Sequence, residues 1–194
     1  MKKVALFVIL LITTFKLFAQ QKDKLISIGY YAPYAIQSGV KIGSFFNIKE
    51  WVKEKDVKLK FSSLFISPQI GVFFRPRNHT SFVLNADMGY KITNSKQNFY
   101  ISPSLGFGYL IANQVLSNTI TLNSGDVAKR DRELRHYFLP TINFGFGNYA
   151  NKKIGWYTKL SFGRKMSPTI EDATFFAFEL GLKFNLLKTE TTHK

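Results

Sequence analysis

Apolar and polar side chains alternate along most of this chain with a period of two. The clearest example runs from Thr80 to Thr93, where each second residue from Phe82 to Ile92 is apolar. Because successive side chains of a β-strand point to opposite faces of the sheet, this period predicts a strand with one apolar and one polar face. The opposing, polar positions include Ser81, Asn85, Asp87, Gly89 and Lys91.

Seven further segments repeat the alternation and bring the predicted number of strands to eight. They lie within 26–30, 40–47, 63–74, 99–111, 138–147, 154–163 and 176–186. One face of these segments is mostly Phe, Leu, Ile and Val, and the other is rich in Gly, Ser, Asn and single charges. Large apolar residues suit contact with lipid, and small polar residues suit the narrow interior of a small barrel. The pattern predicts an all-β fold, a closed antiparallel up-and-down transmembrane β-barrel.

The connectors between these segments predict the orientation of the barrel. Outer-membrane barrels have short periplasmic turns and longer external loops. With both termini in the periplasm, Thr93 to Gln97 and Asn148 to Lys153 become periplasmic, and Asn113 to Glu133, the longest connector, lies outside the cell. Within it, Val115 to Asn123 alternates weakly, which predicts one arm of a β-ribbon with its apex at Asn123 to Asp126. A total of ten strands stays open as an alternative.

The first 20 residues have the pattern of a secretory signal peptide. Lys2 and Lys3 precede an apolar stretch from Val4 to Phe15, and Ala19 provides a small residue for cleavage. This stretch is shorter than the roughly 20 residues that a transmembrane helix needs. Cleavage after residue 20 would leave one β-barrel domain, 21–194, with strands within about 24–187 and a polar tail at 188–194.

The amino-acid composition excludes several kinds of functional site and indicates the charge of a partner. The chain of 194 residues has no Cys, which excludes a disulfide scaffold, a thiolate metal site and a Cys nucleophile. Its 27 basic and 12 acidic residues give a net charge of +15, which suits a polyanionic partner. Because export argues against nucleic acid, acidic surface lipid is the predicted polyanion.

Two groups of charged residues are candidate sites. Charges on a lipid-facing wall are costly, whereas charges inside a barrel can pair with one another. We therefore predict a lumenal charge network that contains Asp87, Lys91, Lys159, Glu179 and Lys183. A second group lies in the long external connector, where lipid phosphates would be found, and predicts contact with them. It consists of Lys129, Arg130, Arg132 and Arg135.

Signals of an enzyme are few. The three histidines are His79, His136 and His193, which do not cluster, so no metal and no cofactor is predicted. The sequence His79-Thr80-Ser81 resembles the His-x-Ser motif of outer-membrane lipid A deacylases, in which a histidine activates a serine. The remainder of that motif is missing, and Ser81 is predicted to face the lumen and not the lipid. A deacylase-like enzyme that uses His79 and Ser81 is therefore the alternative and not the first hypothesis.

A short motif recurs three times, as ISPQIGVFF from Ile66, ISPSLGFGY from Ile101 and FLPTINFGF from Phe138. Each copy places a proline on the predicted outward face, and proline cannot donate a hydrogen bond to a neighbouring strand. The prolines indicate either kinks that shape the barrel or expose its backbone to a partner, or strand ends near the membrane rim. They are Pro68, Pro103 and Pro140.

Aromatic residues at the predicted strand ends are typical of the girdles at membrane interfaces. They are Tyr30, Tyr34, Trp51, Tyr90, Tyr109, Tyr149 and Trp156.

The leader, the alternating strands and the final segment GLKFNL resemble the small eight-stranded outer-membrane barrels of OmpX-like and OmpA-like transmembrane architecture. The resemblance covers about residues 24 to 187, and the polar tail departs from the C-terminal aromatic residue that these proteins usually have. It implies a Gram-negative outer-membrane location and a structural or loop-mediated role. Lipopolysaccharide or another outer-membrane protein would be the partner. An interior that side chains just fill excludes a wide pore. A soluble periplasmic lipocalin-like carrier is a second alternative.

Overall fold

The computed structural model describes residues 25–55, 58–75, 79–94, 99–118, 129–148, 153–167 and 172–185. The predicted signal peptide, the polar tail and the predicted apex at Asn123 to Asp126 lie outside these residues. The described chain forms eight β-strands. They are β1 (Leu25–Pro33), β2 (Ser38–Lys55), β3 (Lys58–Arg75), β4 (His79–Asn94), β5 (Phe99–Asn118), β6 (Lys129–Asn148), β7 (Ile154–Lys165) and β8 (Ala173–Asn185).

The strands form one closed barrel in chain order. Each strand pairs antiparallel with the next, and β1 pairs with β8 from Leu25↔Asn185 to Pro33↔Ala177, which closes the ring. The predicted closed up-and-down barrel of eight strands is confirmed. Among the residues that the structure describes, no helix is long and apolar enough to cross a membrane.

The two ends of the barrel differ. We call the end with Leu25 and Asn185 the terminal end and the opposite end the far end. At the far end, β5 pairs with β4 only up to Gln114, whereas its pairing with β6 continues to Asn118↔Lys129. The residues beyond Gln114 and their partners on β6 therefore form a two-stranded ribbon that rises past the neighbouring strands.

The outer and inner faces follow the predicted alternation. On β5, Ile101 and Leu105 are 57% and 54% exposed, whereas Ser102 and Ser104 are 7% and 8% exposed. Exposed Phe, Leu, Ile and Val side chains recur in the same way on all eight strands. The outside of the barrel is therefore a continuous apolar wall, and the alternate side chains fill its interior.

Several aromatic side chains predicted for a girdle contact other aromatic rings at the terminal end. Trp51 and Tyr90 have ring centroids 5.9 Å apart, and Phe146 contacts Trp156 at 5.5 Å. Tyr34, predicted for the girdle, instead packs edge-on against Phe175 at 5.8 Å in the far end of the lumen. Tyr34 lies in the turn after β1 and has a φ of 53°. Tyr149 lies outside the described residues.

The recurring prolines lie inside strands. Pro68 is in the middle of β3, Pro103 is in β5, and Pro140 is in β6. The interpretation of these prolines as strand ends is therefore wrong. The alternative interpretation, a local change in the strand ladder, matches the pairing described below.

Candidate functional site

A layer of four buried charges crosses the middle of the lumen. Lys159 Nζ lies 2.8 Å from Asp87 Oδ2 and 3.1 Å from Glu179 Oε2, and Lys41 Nζ lies 3.3 Å from the same glutamate oxygen. All four side chains are less than 10% exposed. The charges sum to zero, and each charge lies beside one of opposite sign, which is what allows ionised groups to be buried.

Asp87 is held by neutral donors as well as by the lysine. Asn85 Nδ2 donates to Asp87 Oδ1 at 2.6 Å, and Asn143 Nδ2 donates to the same oxygen at 3.1 Å. Lys159 donates to the other oxygen. Both oxygens of this buried carboxylate are therefore satisfied from three strands, β4, β6 and β7.

Glu179 and Lys159 complete the layer. Tyr157 OH donates to Glu179 Oε1 at 2.5 Å, while Lys41 and Lys159 share Glu179 Oε2. Gln69 Oε1 accepts a further hydrogen bond from Lys159 Nζ at 2.9 Å. The network thus links six strands across the lumen, β2, β3, β4, β6, β7 and β8, and joins strands that are not neighbours in the sheet.

Lys183 lies closer to the terminal end and has different surroundings. Its Nζ lies 3.5 Å from the centroid of the Phe45 ring and 4.4 Å from that of Tyr100, and it donates to Tyr100 OH at 2.5 Å. Within the described residues Lys183 forms no ion pair. Lys91 is half-buried on the inner face of β4, where Ser63 of β3 is its register partner. The structure therefore brings Asp87, Lys159 and Glu179 together and places Lys183 apart from them.

Sequence reasoning missed several partners in the lumen. Lys41 and Gln69 occupy the polar faces of their own predicted strands, so the alternation of apolar and polar residues could have identified them as lumenal. Tyr157 and Phe45 also point inward, but their types gave no such signal, because aromatic residues were assigned to the outer wall.

The far half of the lumen is packed with apolar side chains. Tyr31 and Phe73 meet edge-to-face with ring centroids 5.6 Å apart. The predicted polar inner face is therefore wrong for this half of the barrel, because consecutive apolar residues supply both faces here. The cluster contains Tyr31, Phe73, Val83, Leu110, Ala112, Tyr137, Leu139, Phe175 and Ala177.

His79 and Ser81, the candidate catalytic pair, lie at the edge of this apolar cluster. His79 is half-buried and stacks edge-on against Phe73, with ring centroids 6.3 Å apart. Ser81 is 1% exposed, and its Oγ has no hydrogen-bond partner among the described residues. No hydrogen bond joins these two described side chains. The arrangement contains neither an activated serine hydroxyl nor a path from it to lipid.

The candidate phosphate-binding residues lie on β6, with Lys129, Arg130 and Arg132 in the ribbon and Arg135 just before the ribbon begins, opposite Ala112. Arg132 is exposed, and Arg135 Nε lies 2.9 Å from Glu133 Oε2. Lys129 and Arg130 belong to β6, but their side chains lie outside what the structure describes. These positions lie beyond the apolar wall, at the far end of the barrel.

A small cavity lies in the lumen beside Lys183, and no metal cluster is found among the described residues. A cavity lined by Phe45, Tyr100, Tyr157 and Lys183 has a volume of about 10 Å³, which is about the space of one water molecule. In the part of the chain that the structure describes, no group of three or more His, Cys, Asp or Glu side chains could hold a metal ion.

Comparison with known proteins shows likeness in structure. No protein-family model and no curated protein matches the sequence. The crystal structure of Neisserial surface protein A matches with a TM-score of 0.50 and 6% identity over 84% of this chain and 95% of that one. The N-terminal β-barrel domain of OprF from Pseudomonas aeruginosa matches with a TM-score of 0.48 and 14% identity, over 85% and 98%.

The outer-membrane enzyme PagL also matches, with a TM-score of 0.46 and 12% identity over 84% and 98% of the two chains. Identities this low concern the fold and not the activity. The predicted outer-membrane location agrees with the apolar outer wall of the barrel. The chain has the fold of the small eight-stranded outer-membrane β-barrels.

Proposed function

We propose that this protein is a closed outer-membrane barrel that acts through its far end, where the β5–β6 ribbon contacts the phosphates of lipopolysaccharide. The observation that carries the proposal is the position of the ribbon, which continues past β4 and β7 to Asn118↔Lys129. From 129 to 135 the sequence KRDRELR has four basic and two acidic residues, a net charge of +2. This segment lies directly beyond a wall that suits lipid chains.

Connector lengths support an external position for the far end. At the terminal end, two to five residues separate consecutive strands, whereas ten residues, 119–128, separate β5 from β6 at the far end. Long external loops and short periplasmic turns are the usual arrangement of such barrels. The ribbon would then meet the phosphorylated surface of the outer leaflet.

The filled lumen argues against transport and carriage. The apolar cluster and the charged layer occupy successive heights of the barrel, and their side chains contact one another across it. A lipocalin-like carrier needs an internal cavity for its ligand and a polar exterior, and this barrel has a packed interior and an apolar exterior. A contact function at the surface is what the geometry supports.

Binding of purified lipopolysaccharide to the detergent-solubilised protein tests the proposal. We expect Arg132→Gln to weaken binding about fivefold, because a basic residue near an anionic surface contributes about 1 kcal/mol. The matched control is Lys49→Gln, which removes an exposed charge of the same sign at the terminal end and should leave the affinity unchanged. Equal affinities for all three proteins would contradict the proposal.

A deacylase activity is tested separately. We expect His79→Ala and the wild-type protein to give the same lipid A mass spectrum when expressed in a Gram-negative host. A loss of acyl chains that depends on His79 would instead favour the enzyme.

A further inference from the structure

Proline interrupts the ladder between β2 and β3. These strands pair at Gly43↔Gln69 and again at Phe46↔Ile66, but neither of the two intervening positions is paired. Pro68 lies in this gap and has no N–H to donate to β2. On its other side Pro68 pairs normally, with Ala86 of β4. The gap therefore interrupts the pairing of β3 with β2, which we call the Pro68 seam, and leaves the pairing of β3 with β4 intact.

The same gap accompanies the other two prolines. Between β4 and β5 the register is interrupted beside Pro103, between Gly89↔Ser104 and Ile92↔Ile101. Between β6 and β7, two positions beside Pro140 are unpaired, since pairing ends at Thr141↔Gly163 and resumes only in the isolated bridge Phe138↔Met166. Each proline removes one N–H from its strand, and a backbone group that lacks a hydrogen bond within lipid is costly unless something covers it.

At the Pro68 seam the outer wall has a shallow depression that is largely open to the outside. A groove of about 770 Å³ runs across the wall from β1 to β6. Pro68 and Ala86, which are register partners, are small compared with the side chains beside them, such as Ile70 and Phe107. The lining is almost wholly apolar, with Ser44 as an outward-facing hydroxyl residue at the seam. A shallow apolar channel of this kind fits a hydrocarbon chain.

The groove leads toward the ribbon. Tyr109 and Phe138 line its β5–β6 side, and Tyr109 OH lies 3.0 Å from His136 Nδ1. Leu134 and Arg132 follow on the same outward face of β6, and both are exposed. At about 3.3 Å per residue, Arg132 lies about 20 Å from Phe138 along the strand. One face of the molecule thus presents a cation, then polar aromatic groups, then an apolar groove, which is the order of groups in an anionic lipid.

We propose that one acyl chain of a lipopolysaccharide molecule lies in this groove and covers the Pro68 seam, while a phosphate of the same molecule lies at Arg132. This inference rests on the proposed function and extends it from the head group to the chain. The apolar side chains of the wall contact the acyl chain, and the small side chains of Pro68 and Ala86 leave space for it.

A substitution that fills the groove tests this proposal. Ala86→Phe places a large ring on its floor, and because Ala86 faces outward the lumen is undisturbed. The matched control is Leu182→Phe, the same ring on the lipid-facing wall of β8, which does not line the groove. Native mass spectrometry measures the fraction of barrels that retain one lipopolysaccharide during a titration. A parallel titration uses an anionic phospholipid.

We expect Ala86→Phe to weaken lipopolysaccharide binding about tenfold, the effect of displacing roughly two methylene groups from an apolar site, and Leu182→Phe to leave it unchanged. If Arg132→Gln weakens binding and Ala86→Phe does not, the groove is overturned and the proposed function stands. If only Ala86→Phe weakens it, the chain site stands without the phosphate contact. If the anionic phospholipid binds as tightly as lipopolysaccharide, and Ala86→Phe weakens both to the same extent, the assignment of lipopolysaccharide as the ligand is overturned. A heat-dependent gel shift confirms folding, and Ala86→Leu replaces the Phe variant if that shift is lost.

Discussion

The far half and the middle of the lumen are built from the same strands and the same inner face, yet they are filled by opposite chemistry. On β8 the change occurs within two residues, from Ala177 in the apolar cluster to Glu179 in the charged layer. On β4 the same change takes four residues, from Val83 in the apolar cluster to Asp87 in the charged layer. The lumen of a closed barrel can therefore be filled either by closely packed apolar side chains or by paired charges.

The two halves differ in what each side chain requires. In the apolar cluster, Phe73 needs neighbours of suitable size, and several residue types would provide them. In the charged layer, Lys159 serves Asp87 and Glu179 together, so its loss leaves two buried carboxylates short of a cation. The charged layer should therefore respond to removal of one group more sharply than the apolar cluster does.

The largest effect is expected from Lys159→Met. Breaking a buried ion pair by removing one partner costs about 3–5 kcal/mol, and the shared position of Lys159 places the loss near about 5 kcal/mol. The free energy of unfolding is measured in urea, for protein folded into phospholipid vesicles, by the heat-dependent gel shift. Lys49→Met, at an exposed position outside the lumen, is the control. Adding Asp87→Asn should recover part of the loss, and no recovery would show that the charges act independently.

The next effect compares two adjacent phenylalanines. Phe73 is fully buried in the lumen and Phe74 is 51% exposed on the outer wall. Phe73→Ala should cost about 4 kcal/mol, because it removes apolar contact and leaves a cavity that lipid cannot reach. Phe74→Ala should cost about 2 kcal/mol, the transfer of the ring alone, because lipid refills the space. Equal losses in the same urea assay would mean that the far half of the lumen is not packed.

These adjacent residues also show what the sequence could predict. Strands and faces follow from a period of two, which is a local property, so the barrel and its apolar wall were predictable. At Phe73–Phe74, at Leu110 beside Tyr109, and at Phe175–Phe176, apolar residues are consecutive and hide the period. The inward member of each pair was therefore missed, although the loss of alternation itself indicates that both faces are apolar.

The sequence gives less information on which residues pair with one another in the charged layer. The pattern placed Asp87, Lys159 and Glu179 on inner faces, which is local information. Contact between Lys159 on β7 and Asp87 on β4 depends on barrel closure and on strand register, because these strands are not neighbours in the sheet. The pattern also grouped Lys183 with the network, and only the side-chain packing separates it.

Lys183→Met sharpens the comparison between two buried lysines. Lys183 lies against Phe45 and Tyr100 and has no acidic partner among the described residues. Methionine has a similar volume, leaves no carboxylate unpaired and loses only the cation–π contacts with the neighbouring rings and one hydrogen bond. We expect a cost of about 1 kcal/mol, well below that of Lys159→Met. A loss as large as that of Lys159→Met would show that Lys183 is electrostatically part of the charged layer.

Ser81→Ala should have the smallest effect, and it links the packing to the function. Ser81 Oγ is buried beside the apolar cluster without a hydrogen-bond partner among the described residues, and such a hydroxyl is unfavourable in an apolar site. Replacing it with a methyl group should leave the free energy of unfolding within about 0.5 kcal/mol of the wild type or raise it. A catalytic serine would behave differently, because its removal would abolish an activity whatever it did to stability. An unchanged lipid A mass spectrum together with unchanged or higher stability would therefore identify Ser81 as a packing residue of the apolar half, whereas a changed spectrum would favour the deacylase hypothesis over the proposed contact function.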